Sequence, residues 1–167
     1  MFLKAPLEFG RITSRFSHSR LHPILGHRRP HHGTDYAAPY GTPILSVGDG
    51  VVTRVGFNSG NGNYVRIRHN SVYETQYLHM SRFARGIRVG ARVTQGQVIG
   101  YVGSTGLATG PHVCFRFYEH GTPINHLKKE FPSADPLHQD YHQTFFHLRD
   151  SLLLILNQIE LPKQSPA

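Results

Sequence analysis

Gly50-Val-Val-Thr-Arg-Val-Gly-Phe-Asn-Ser-Gly-Asn-Gly-Asn-Tyr-Val-Arg-Ile-Arg68 sets the class of fold. Val65 and Ile67 alternate with Tyr64, Arg66 and Arg68, the period-two pattern of a strand buried on one face. Gly50 to Val55 reads as a second β-branched strand. Asn61-Gly62 between the two runs is a strong tight-hairpin signal, because both residue types tolerate positive φ. The same grammar of short β-branched runs punctuated by glycine extends from Gly41 to Gly103 and includes Pro43-Ile-Leu-Ser-Val47. Gly41 to Val52 is weakly echoed by Gly90 to Val102, each a small-residue turn, a strand, a glycine kink and a second strand. Such halves predict a mainly β domain, a small antiparallel sandwich.

The flanks differ from this centre. Arg11 to Phe16 reads as a short strand, followed by a long polar loop with His22, Pro23, Gly26 and several basic residues. Near the C-terminus Asp135 suits a helix N-cap and Pro136 the first helical position. Leu137, Tyr141, Phe145, Leu148, Leu152, Ile155 and Ile159 then recur at three- and four-residue spacing. This pattern predicts one amphipathic helix over about 136–158. The expected organisation is a lead-in over 1–9, a β domain over 10–127 and a C-terminal extension over 128–167.

With 167 residues, one domain with a real core is expected. No run of 18 apolar residues is present, so no transmembrane segment is expected, and residues 1–20 lack a signal-peptide core. A leader or upstream domains would therefore lie outside this chain, unless the natural chain starts here. The 18 Lys and Arg against 10 Asp and Glu give a formal charge of +8, which attracts polyanions. The arginines are scattered, without a clustered basic helix or an aromatic RNA-binding signature, so nucleic acid is not the expected partner. The run Arg20 to Arg29, with Arg82, Arg85 and Arg88, suits an anionic cell-wall polymer or plain solubility. The single cysteine, Cys114, cannot form an internal disulfide.

Paired-carboxylate catalysis is excluded, because the only acids between residues 9 and 118 are Asp35, Asp49 and Glu74. Histidine, at 13 residues, is the unusual component. In His31-His32-Gly33-Thr34-Asp35 a His and an Asp flank a glycine that permits a sharp turn, which suits either a cation site or a polar loop. His79 stands at the end of a strand-like segment, Tyr77-Leu78-His79-Met80, where a structural role is equally open. In Gly110-Pro-His-Val-Cys-Phe-Arg-Phe117 alternation places His112 and Cys114 on one strand face and Val113, Phe115 and Phe117 on the other. That is a metal or catalytic pair, or a buried cysteine beside a surface histidine.

Taken together, the three motifs resemble the lysostaphin-type zinc endopeptidases of bacterial peptidoglycan. That family's pattern is His-x-Gly-x-Asp, a His after an aromatic-rich strand, then His-x-His; here it is met by His31 to Asp35, His79, and His112-Val113-Cys114. The intervening Asp35-Tyr-Ala-Ala-Pro-Tyr-Gly-Thr-Pro-Ile44, Gly48-Asp-Gly-Val-Val52 and Gly103-Ser-Thr-Gly106 also match, and the likeness covers roughly 10–127. The resemblance implies an antiparallel β domain with a shallow groove and one Zn2+, held by His31, Asp35 and the residue at 114. It implies that His79 and His112 flank the attacking water, that peptidoglycan peptide is the substrate, and that the place of action is the periplasm or cell envelope. Cys114 departs from it, standing where the family usually has His; the same fold without catalysis, as a wall binder or hydrolase activator, is the alternative reading. A lipoyl- or biotin-carrier domain would need a lysine on a hairpin tip, and Lys4, Lys128, Lys129 and Lys163 all lie outside the strand region.

Overall fold

The computed structural model describes residues 2–21, 26–131 and 137–158. The chain divides into two compact units, 1–131 and 132–167. The first is almost wholly β: β1 (Arg11–Ser14), β2 (Ser17–Leu21), β3 (Arg28–His31), β4 (Thr34–Ala37), β5 (Pro43–Leu45) and β6 (Gly50–Asn58). It continues with β7 (Gly62–Arg68), β8 (Tyr73–Phe83), β9 (Arg92–Val93), β10 (Val98–Val102), β11 (His112–Glu119) and β12 (Thr122–Ile124). The main sheet runs β1-β4-β11-β8-β7-β6-β9, with β10 bridging β8 and β5 and β12 on β11; β2 and β3 form a separate ribbon. Every pairing is antiparallel.

The hairpin expected from Asn61-Gly62 joins β6 to β7, and Gly62 takes a φ of 63°. Val65 and Ile67 are fully buried, as their alternation requires, and pack with Ile44, Val52, Tyr77, Val113, Phe115 and Phe117. The two echoed segments pair crosswise: β5 of the first lies on β10 of the second, and β6 of the first on β9 of the second.

Three expectations are corrected. The polar stretch after Phe16 is not a simple loop, because Ser17–Leu21 pairs with Arg28–His31. His79 does not end its strand; β8 runs four residues beyond it, and His79 sits inside with a φ of 64°. The C-terminal helix, α1 (His142–Gln158), begins later than 136 and is preceded by a 3-10 turn, Gln139–Tyr141, capped by His138. Asp135, Pro136 and Ile159 lie outside the described residues. Within its unit α1 has no buried residue, and Leu152 to Leu156 form an unbroken apolar run instead of a stripe. No described helix is long and apolar enough to cross a membrane.

Candidate metal centre

The sheet order β4-β11-β8 explains how residues far apart in sequence meet. In register Asp35 lies opposite Cys114, and Cys114 opposite Leu78, the residue before His79. His31 ends β3, and the turn through Gly33 returns the chain into β4. A Cβ at Gly33 would lie 2.8 Å from Cys114 Sγ and 2.9 Å from the Phe115 carbonyl, so only glycine lets this turn approach β11.

The donor atoms of His31, Asp35 and Cys114 all lie within 4.8 Å of one another. His31 Nε2 is 3.0 Å from Asp35 Oδ1 and 3.5 Å from Cys114 Sγ. All three residues are buried, at 8%, 9% and 3% exposure. The tautomer of His31 follows from its other nitrogen: Nδ1 lies 3.0 Å from the Arg15 carbonyl, which can only accept, so Nδ1 carries the proton. Nε2 is left to face a carboxylate oxygen and a sulfur. Three electron-pair donors converging in a buried place call for a cation between them, and an N, O, S set fits zinc. The residues present therefore fit the metal.

The electrostatics agree. Burial alone would raise the Asp35 carboxyl, but the hydrogen bond and charge of His31, with the charge of His112, hold it below its ordinary value. Burial and the neighbouring Asp35 push the Cys114 thiol far up. Arg116, two residues on, pulls the other way without prevailing.

His79 and His112 face one another beside this cluster, ring centroids 4.7 Å apart. Each donates from Nδ1 to a backbone carbonyl at 2.8 Å, His79 to Thr105 and His112 to Gly110. Both thus keep Nε2 for the groove, and His112 Nε2 lies 3.9 Å from Asp35 Oδ1. Burial lowers the His79 pKa to about 4, so its ring is neutral at physiological pH. The five residues singled out in the sequence line one groove of about 540 Å³.

Sequence reasoning missed several supports. Thr105 holds the His79 ring through its carbonyl, while its Oγ1 accepts from the Asn63 amide and donates to the Met80 carbonyl, both at 2.9 Å. Arg20 reaches from the ribbon to within 3.5 Å of Asp35 Oδ2. Behind Asp35, the Tyr36 hydroxyl meets Nε2 of buried His126 at 3.0 Å. Only Gly62 and Gly106 in sequence hinted at the close packing around Thr105.

The sequence profile of Peptidase family M23 matches residues 29–126. The chain belongs to this family. It is 48% identical over 144 residues to the peptidoglycan DD-endopeptidase ShyC of Vibrio cholerae, covering 86% of this chain and 33% of ShyC. This M23 chain thus spans about a third of the length of the curated relatives it matches. Among solved structures it resembles a zinc-containing peptidase from Vibrio cholerae, with a TM-score of 0.73 and 41% identity over 78% of this chain and 40% of that one. It also resembles the catalytic domain of lysostaphin from Staphylococcus simulans, with a TM-score of 0.62 and 27% identity over 71% and 90% of the two chains.

Proposed function

We propose that this M23 chain is a zinc-dependent endopeptidase that hydrolyses peptide bonds of bacterial peptidoglycan, acting in the periplasm or cell envelope. Residues 10–127 form the catalytic domain, with 1–9 and 128–167 as flanking segments. The observation that carries the reading is the convergence of His31, Asp35 and Cys114 within 4.8 Å, beside two histidines that both turn Nε2 to the same groove. The DD-endopeptidase ShyC supports the substrate class, and the zinc-containing relative supports the metal.

His31, Asp35 and Cys114 would hold the ion. When bound, zinc supplies a Lewis acid for the scissile carbonyl and lowers the pKa of water towards about 7. His79, neutral and with Nε2 free, accepts the proton of the attacking water. His112, across from it, presents a second Nε2 lone pair to the groove and orients the same water. The Thr105 and Gly110 carbonyls fix both rings in the tautomer this needs.

Digestion of purified peptidoglycan with and without a chelator, with fragments identified by mass spectrometry, tests the proposal. New peptide termini that vanish with chelator and return with zinc are expected. Intact cross-links and stems in the zinc-loaded sample would overturn it.

A further inference from the structure

We infer that the groove holds a carboxylate-binding subsite beside the metal centre, formed by Arg20 with Arg29, and that it takes a free carboxylate of the peptide substrate. The inference rests on the peptidase reading of the same groove and adds the charge its substrate must carry.

The groove walls carry three guanidinium groups, Arg20, Arg29 and Arg116, against one carboxylate, Asp35. Asp35 is already engaged by His31. Other acids near this part of the sheet are taken: Glu74 pairs with Arg66 and Glu119 with Lys129.

Arg20 is incompletely satisfied. Its Nη2 stands 3.5 Å from Asp35 Oδ2, longer than the roughly 2.7–2.9 Å of a charge-assisted hydrogen bond. Its Nε is buried without a hydrogen-bond partner among the described residues, as is Nε of Arg116. Buried donors left unpaired are costly, so such an arrangement is built for an acceptor that arrives from outside. The planar fork of arginine suits a carboxylate, which can take two parallel hydrogen bonds from it. Arg20 and Arg29 are direct partners across the β2–β3 ribbon, so both project from one edge of the groove. Because Arg20 lies beside Asp35, a carboxylate on it falls within about one or two residues of the carbonyl facing His79 and His112.

The test uses the zinc-loaded protein and cross-linked muropeptide dimers, either with free carboxylates or with the same carboxylates converted to carboxamides. Wild type should lose at least tenfold in kcat/KM on amidation, mainly through KM. Arg20→Gln should show the same tenfold loss on the free acid and no further loss on the amide, while Arg20→Lys recovers part of it. Zinc content and melting temperature of the variants report whether fold and metal survive. Calorimetric binding of the four protein and dimer combinations gives the ratio without turnover. Equal handling of acid and amide by wild type, or full discrimination retained by Arg20→Gln, overturns the subsite. Acid-selective, Arg20-dependent binding with no cleavage upholds the subsite and overturns the hydrolase reading instead.

Discussion

The His79 ring donates from Nδ1 to the Thr105 carbonyl across 2.8 Å, and this contact ties a strand residue at a φ of 64° to a loop 26 positions away. A non-glycine residue at positive φ persists only where its surroundings over-determine it. Here the Asn61 carbonyl accepts from the His79 amide at 2.9 Å, and Thr105 grips both Asn63 and Met80. The strain is therefore spent on aiming one imidazole. His79→Ala should lower turnover about 10²-fold or more, the value of a lost acid–base group, with zinc content unchanged. Steady-state kinetics beside elemental analysis checks this; full cleavage by the variant would refute the role.

Gly62 is the other side of the same clamp. A Cβ there would lie 2.3 Å from the Thr105 carbonyl oxygen, at a φ of 63° that side chains disfavour. Gly62→Ala should cost roughly 1–3 kcal/mol of stability from strain alone. Turnover should fall with it while zinc stays bound, because displacing Thr105 releases the His79 ring and leaves His31, Asp35 and Cys114 in place. Chemical denaturation and metal analysis of the purified variant separate the two effects.

Stability should fall with acidity through His126. Burial lowers its pKa from 6.5 to about 4. Between those values the unfolded chain takes up a proton that the folded chain refuses, so stability present above pH 6.5 is lost as pH falls towards 4. The loss is of the order of 3 kcal/mol from this side chain. His126→Phe should be less stable at pH 7, because the Tyr36 hydroxyl loses its partner, yet flatter across that window. Melting curves from pH 7 to 4 decide; parallel slopes for the two proteins would rule His126 out.

Much of this was legible because the relevant signals are local. Alternation at Val65 and Ile67 fixed a buried face, and alternation at His112 and Cys114 correctly set the groove side against Val113, Phe115 and Phe117. The resemblance named His31, Asp35, His79 and position 114, and the sheet order β4-β11-β8 brings them together. What stayed hidden depends on long-range pairing. The ribbon that carries Arg20 to Asp35 has no apolar alternation, since its residues are mostly exposed. Thr105 acts through a backbone carbonyl, which any residue possesses, so its identity did not advertise the contact. The helix start shifted because His138 caps a 3-10 turn that cap-residue preferences did not single out.

The basic surface yields a prediction that does not depend on catalysis. A formal charge of +8 should make binding to whole sacculi fall steadily with ionic strength. Arg82 is partly engaged already, with its guanidinium stacked 3.7 Å from the centre of the Tyr101 ring. The double variant Arg85→Glu with Arg88→Glu should therefore weaken sedimentation with sacculi more than Arg82→Glu does. Binding indifferent to salt would refute the electrostatic account.

The sharpest prediction concerns Cys114. Its sulfur lies 3.5 Å from His31 Nε2, in the strand position where the lysostaphin-type pattern has its third ligand. Thiolate is a good zinc ligand at about 2.3 Å, and Cys114 is buried on the wall of the groove. With Asp35 and a thiolate both bound, the site is formally neutral, one charge lower than with a histidine at 114. A more electron-rich zinc polarises a carbonyl less and holds its water at a higher pKa. Wild type should bind one zinc per chain and cleave, with an optimum at higher pH than Cys114→His. Cys114→Ser should lose zinc affinity by more than the roughly 10–100-fold typical of losing an outer partner. Zinc titration and cleavage of one peptidoglycan substrate by all three proteins check this. A zinc-loaded wild type that is inert while Cys114→His cuts would make the natural chain a wall binder with a peptidase fold, and would overturn the enzymatic reading.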